Sequence, residues 1–220
     1  DRDTLMGGIC CGICLFLASN TQQYALLYTT PGKTGFITAC YMIFVPIAGL
    51  LSGRRIGPRT AFAIVLSAAG LYLLCIPEGQ GFGGVNRGDL LALLCAVFYT
   101  MHILCIDHFT VRAEGIKMSC IQFLVCGILT IIPAFLLEDQ EAAALRSGLL
   151  PLLYAGIMSS GVAYSMQIVG QKGTDPTVAS LILSLESCFS VLAGWLLLSD
   201  RLSIRELSGC LIMFLGIILT

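Results

Sequence analysis

Charge is what this chain has least of. Only 11% of its 220 residues are Asp, Glu, Lys or Arg, against roughly 25% in soluble globular domains. An ordinary water-facing surface cannot be covered on that allowance. Histidine occurs twice and tryptophan once. The net charge of −1 supplies no basic face, so nothing points to a nucleic-acid partner. The opening DRDTLM has no basic stretch ahead of an apolar one and does not read as a secretory signal. P-loop, H-E-x-x-H and G-x-S-x-G motifs are all missing, which leaves an ATP-driven pump or a soluble-type enzyme without support. No catalytic residue, metal site or cofactor is expected, and the chain is not read as an enzyme.

Apolar residues, by contrast, make up 57% of the chain, and its mean hydropathy is +0.91. Their arrangement decides the class. Of 12 basic and 13 acidic residues, all but Glu186 fall in short clusters between apolar runs. A soluble helical bundle spreads its charges along each helix at a period of 3.6. Here the lipid bilayer is the solvent. All eleven cysteines, including the Cys11–Cys14 C-x-x-C pair, also lie inside apolar runs. They read as small hydrophobes more readily than as a redox or metal framework.

A membrane helix needs about 20 mostly apolar residues. Eight segments approach that length: Leu5–Tyr28, Thr34–Leu51, Thr60–Ile76, Leu90–Ile106, Met118–Leu137, Leu149–Val169, Thr177–Leu198 and Leu207–Thr220. Gly and Pro punctuate the connectors between them. The longest Gly-rich connector, 77–89, reads as a linker between a first part, 1–76, and a second, 90–220. Pro46 and Pro133 fall inside segments and should kink them, which membrane bundles tolerate. Loop Lys and Arg residues divide seven against five in favour of cytoplasmic chain ends, with Arg54, Arg55 and Arg59 carrying most of the difference. This orientation suits a multi-pass protein of the cell membrane.

The two parts resemble each other. At an offset of 144, Gly12, Ile13, Gln23 and Thr30 meet Gly156, Ile157, Gln167 and Thr174. At 146, Val45, Arg55, Arg59, Gly70 and Leu73 meet Val191, Arg201, Arg205, Gly216 and Leu219. Matched arginines and glycines, in order, point to a duplication whose unit is five helices. Five is odd, so the second copy enters the membrane the other way up. That is the inverted repeat of secondary transporters, whose substrate sites lie at the repeat interface near mid-membrane. The first copy is two helices short, and the chain opens on Asp, so two further N-terminal helices are expected.

The run QQYALLYTTPGKTGFITACYMIFVP (22–46) resembles the third and fourth helices of the drug/metabolite transporter superfamily, in its EamA-type branch. SLILSLESCFSVLAGWLLLSDRLSIRELSGCLIMFLGIIL (180–219) is similar to the ninth and tenth. Asp200 stands where many members carry Glu. The resemblance implies an all-α bundle of two five-helix halves that moves small organic solutes, often outward.

Glu186 is the sharpest single signal. A charge at a helix centre costs on the order of 2.5–3.5 kcal/mol, and such groups face a cavity or a partner. It is a candidate to bind a substrate ammonium or to couple a proton; the plainer alternative is a carboxyl hydrogen-bonded for packing. It shares a line with Ile182, Ser190 and Ala193, whereas Ser180, Ser184, Ser187, Val191 and Gly194 form a packing stripe beside it. Asn20, Gln23 and Tyr24 share one helix face, as do Ser160, Tyr164 and Gln167; these line a pathway or glue helices together. Tyr41, Tyr99 and His102 are further candidates for the cavity wall, and Gly8 and Gly12 form a G-x-x-x-G that suits packing. Trp195 reads as an interfacial anchor and His108 as a loop residue. The favoured function is a secondary transporter working by alternating access on a small-molecule substrate, with a proton as a candidate coupling ion. Its rival is a non-transporting sensor or scaffold of the same fold. Nothing in the residues sets an oligomeric state.

Overall fold

The computed structural model describes residues 1–76, 85–137, 146–198 and 203–220. Those residues form eight long helices and no strand. They are α1 Arg2–Leu26, α2 Pro31–Leu51, α3 Pro58–Cys75, α4 Arg87–Thr110, α5 Gly115–Leu137 and α6 Leu149–Gln171. Then come α7, in two segments Pro176–Ser184 and Glu186–Leu198, and α8 Ile204–Ile218. The first seven are long and apolar enough to cross a membrane; α8 has 15 residues. Large apolar side chains such as Leu51, Phe135, Leu150 and Leu197 lie on the outside, where lipid would meet them.

Capping chemistry sets where the helices start. Thr30 accepts the Lys33 amide at 3.3 Å with Pro31 in the first turn, and Asp175 accepts the Thr177 amide at 2.8 Å with Pro176 in the first turn. In both, a side-chain oxygen serves an orphan N–H, and proline sits where it has no N–H to lose. Ser203 and Glu206 form a full capping box at the start of α8. Gly53, at φ 82°, lets the chain turn back after α2 so that the Arg54 amide reaches the Gly49 carbonyl at 2.9 Å.

Several boundaries differ from the sequence expectation. α4 starts at Arg87, so the last three residues of the expected 77–89 linker are helical; its residues 77–84 lie outside the described residues. α4 also runs on to Thr110, which places His108 in its last turn and not in a loop, edge-on to Phe109 at 4.9 Å. The polar first turn of a helix carries no apolar signal, so periodicity alone starts it late. The irregularity in α2 falls at Cys40, whose amide turns to the Ile37 carbonyl at 3.1 Å. Pro46 does not cause it directly, because the bond proline cannot make is the one to the Met42 carbonyl. α7 has the matching irregularity at Leu185, whose amide meets Ile182 at 3.1 Å. No Pro or Gly marks either tightened turn. Within α6, Ala155–Tyr164 widens into a π-helix.

The chain divides into two compact units that cut across the expected sequence halves: residues 1–17 with 104–174, and residues 18–103 with 175–220. In the first, Cys11, Ile106, Ala113, Met118 and Ile168 form a core. Gly8 and Gly12 let α1 approach α5, since an added Cβ would lie 2.5 Å from Ile121 Cβ and 2.8 Å from the Gln122 carbonyl. Their packing role is thus the one expected. All eleven cysteines are free; Cys11, Cys95, Cys188 and Cys210 are buried, whereas Cys120 is exposed.

The second unit is organised by α3 against α8. A Cβ on Gly70 would sit 2.7 Å from the Gly209 carbonyl, and one on Gly209 would sit 2.7 Å from the Gly70 carbonyl. A Cβ on Gly216 would press on Ser67 Oγ and lie 3.1 Å from the Ala63 carbonyl. The numbers rise along α3 as they fall along α8, so the helices run antiparallel. They also exchange: at the offset of 146, the contact of Gly70 with Gly209 becomes that of Gly216 with Ala63, and Gly70 with Met213 becomes Gly216 with Ser67. Such reciprocity is the mark of a two-fold relation between like surfaces. The first segment of α7 packs on Tyr41–Leu51 of α2.

Gly209→Leu should therefore destabilise the protein by at least about 1–3 kcal/mol, the usual range for overpacking. Gly127→Ala, with nothing within 4 Å of the added carbon, should change little. Thermal unfolding of the detergent-solubilised chain distinguishes them.

Candidate functional site

The second unit encloses a cavity of about 910 Å³, the size of a small-molecule site. One wall comes from α2, where Gly32, Gly35, Thr38 and Tyr41 succeed one another down the helix. The facing wall is the second segment of α7, with Glu186, Ser187, Ser190 and Val191. The end of α3 (Leu73–Ile76) and the start of α8 (Ser203–Glu206) close the sides, and Gln22 reaches in from α1. The cavity thus runs from the tightened turns of α2 and α7 to the end of the unit where α2 and α8 begin.

The turn at Leu185 makes Glu186 the first residue of a new helical segment, where the free amides and the helix dipole favour a carboxylate. Among the described residues Glu186 has no hydrogen bond and no ion pair. Its backbone is also the repeat counterpart of Tyr41: Pro31 and Pro176, Cys40 and Leu185, and Tyr41 and Glu186 are all 145 apart. Equivalent turns thereby bring a tyrosine from one copy and an acid from the other to the same cavity.

The expected site residues divide. Glu186, Ser190 and Tyr41 line the cavity. Tyr99 lies behind Tyr41, ring centroids 6.2 Å apart and tilted by 54°. His102, one turn further along α4, is wholly buried. Asn20 is half-buried and outside the lining, and Gln23 and Tyr24 face outward; Gln22 takes the inward place, 100° round the helix from Gln23. Tyr164 and Gln167 belong to the other compact unit, where Tyr164 packs edge-on to Phe123 at 6.1 Å. The expected packing stripe on α7 divides at the turn. Ser180 and Ser184 are buried and donate to the Thr177 and Leu181 carbonyls at 2.8 and 2.6 Å, whereas Ser187 and Val191 face the cavity.

Thr38, Ser203, Arg205 and Glu206 were not expected in the lining. Arg205 had appeared only as a repeat marker, and S-x-x-E at 203–206 was readable as a capping box. At the end of the unit where α2 begins, Lys33 Nζ meets Asp89 Oδ2 at 2.7 Å, with side-chain exposures of 14% and 8%. Asp89 also accepts from Thr29 Oγ1 at 3.2 Å and from the Asn86 amide at 3.0 Å. This ties the first turn of α4 to the α1–α2 turn. No three His, Cys, Asp or Glu side chains converge as a metal site among the described residues.

Seven helices long and apolar enough to cross a membrane, among the described residues, define a multi-pass helical membrane protein. Residues 86–220 match the EamA-like transporter family, and the chain belongs to that family. It is 29% identical over 209 residues to an uncharacterized transporter of Archaeoglobus fulgidus, across 94% of this chain and 66% of that protein. It is 32% identical over 182 residues to Protein PecM of Dickeya dadantii, across 81% and 60%. A chloroplastic WAT1-related protein of Arabidopsis thaliana is 25% identical over 216 residues, 93% and 50%. The chain thus spans two thirds or less of the length of these relatives. A solved crystal structure shares the fold with a TM-score of 0.81 at 19% identity, covering 99% of this chain and 84% of that one.

Removing one partner of a buried pair costs about 3–5 kcal/mol; Asp89 keeps its bonds from Thr29 and Asn86, so the loss of Lys33 falls below that range. Lys33→Met should lower the thermal midpoint, and Lys33→Met with Asp89→Leu should restore most of it.

Proposed function

We propose that this transporter is a secondary carrier that moves a small organic solute bearing a cationic nitrogen, by alternating access, outward across the cell membrane. The observation that carries this reading is Glu186: a carboxylate without a partner among the described residues, facing a cavity about halfway along a helix long enough to span the bilayer. Such groups mark solute or proton paths. A single carboxylate holds either a proton or a cationic nitrogen. Exchange between the two at Glu186 would couple outward movement of the solute to inward movement of a proton, with one positive charge bound at each stage.

The rest of the reading follows from the repeat. Two inverted copies, divided between residues 1–76 and 90–220 and meeting at mid-membrane, give two conformations related by exchanging the roles of the copies. With both chain ends cytoplasmic, the end of the cavity at Pro31, Ile76 and Ser203 faces outward. Ser190, Tyr41, Thr38 and Gln22 supply hydroxyl and amide groups to orient the solute.

Glu186→Gln keeps the shape and removes the titrating group. In sealed proteoliposomes the variant should insert normally, and uptake of labelled amines should fall and lose its dependence on pH. Wild-type rates from mildly acidic to mildly alkaline pH would make Glu186 a packing residue.

A further inference from the structure

Among the described residues, Arg205 is the other unclaimed charge of the cavity. It stands in the first turn of α8. Its guanidinium lies 5.6 Å from the centre of the Tyr72 ring, and its Nε donates to the Leu73 carbonyl at 3.3 Å. Those two contacts fix the plane and use one of five N–H donors. Among the described residues the two terminal nitrogens have no partner. Among the described residues, the neighbouring acid Glu206 does not take them: its Oε2 accepts instead from the Ser203 amide at 2.8 Å and the Ser203 hydroxyl at 2.6 Å. An arginine held by its inner nitrogen and an aromatic face, with its outer edge open to a cavity, presents a fork that matches an oxyanion in bidentate fashion.

The repeat makes this specific to one end. The counterpart of Arg205 is Arg59, the second residue of α3, and Arg59 is exposed. The counterpart of Tyr72 at the offset of 146 is Ile218, so Arg59 has no equivalent ring to rest on. The fixed guanidinium is a feature of the second copy alone.

α2 serves as a ruler between the two charges. Phe36 packs edge-on to Tyr72 at 5.9 Å, which sets the level of Arg205. Tyr41, which lines the cavity with Glu186, is five residues further on, roughly 7–8 Å along the axis. A solute that reaches from the level of Arg205 to that of Tyr41 needs more than the two bonds that separate nitrogen and carboxyl carbon in an α-amino acid.

We infer that the cavity takes an amphoteric solute, its cationic nitrogen at Glu186 and a carboxylate or phosphate at Arg205, with a spacer of several bonds between them. Leu73, Leu74 and Val191 add apolar surface to the same cavity, which suits a methylene spacer. This inference rests on the role proposed for Glu186, and the two can fail separately.

Equilibrium binding to the full chain in nanodiscs is measured for hexylamine, hexanoate, 6-aminohexanoate and 5-aminopentyl phosphate. At least one of the two amphoteric probes should bind ten-fold or more tighter than hexylamine, and whichever does so identifies the oxyanion. Arg205→Gln should erase that advantage while hexylamine binding persists, which also shows that the variant is folded; Arg205→Lys should recover part of it. The inference is overturned if neither amphoteric probe outbinds hexylamine, if none of the four binds, or if Arg205→Gln leaves the advantage intact. Should Glu186→Gln bind hexylamine as the wild type does, the role of Glu186 fails instead.

Discussion

Helices inside a bilayer gain little from hydrophobic attraction to one another, because the lipid is as apolar as they are. What holds them is close contact between backbones, and in the second compact unit that contact is α3 against α8. Gly70, Gly209 and Gly216 are the places where a side chain would collide with a facing backbone or hydroxyl. With that approach fixed, the end of α3 and the start of α8 become neighbours, and Arg205 reaches the Leu73 carbonyl and the Tyr72 ring. The cavity takes its sides from the same two helices. Its other walls, α2 and α7, are joined where Pro176–Ser184 packs on Tyr41–Leu51.

Duplication supplies the frame and divergence supplies the chemistry. Caps and tightened turns recur 145 residues apart, so the two copies share a backbone plan. The residues placed on that plan differ at and beside the cavity: Tyr41 against Glu186, and Ile218 against the Tyr72 that carries Arg205. The cavity therefore has two unlike walls.

The helices were legible because lipid imposes a coarse rule, about 20 apolar residues with little charge, and the first seven obey it. The repeat was legible through Arg59 with Arg205 and Gly70 with Gly216, residue types that do not match by chance as Leu and Val do. Glu186 stood out for the same reason, as a lone charge in an apolar run. The tightened turns at Cys40 and Leu185 were hidden, since a one-residue change in hydrogen bonding needs neither Pro nor Gly. Gln22 was missed in favour of Gln23 because polarity identifies a helix face only when its neighbours differ. Arg205 was missed because it lies at a helix start, where charge is expected and draws no notice; only the Tyr72 ring beneath it reveals a fixed orientation.

The central claim is that residues 30–75 and 175–218 are one structure used twice in opposite senses. An experimental structure of the protein in lipid tests it directly, through the rotation that superposes the backbone of one stretch on the other. The account predicts a rotation near 180° about an axis in the membrane plane, passing between α3 and α8. A superposition that keeps the same up-down sense, or none at all, would contradict it.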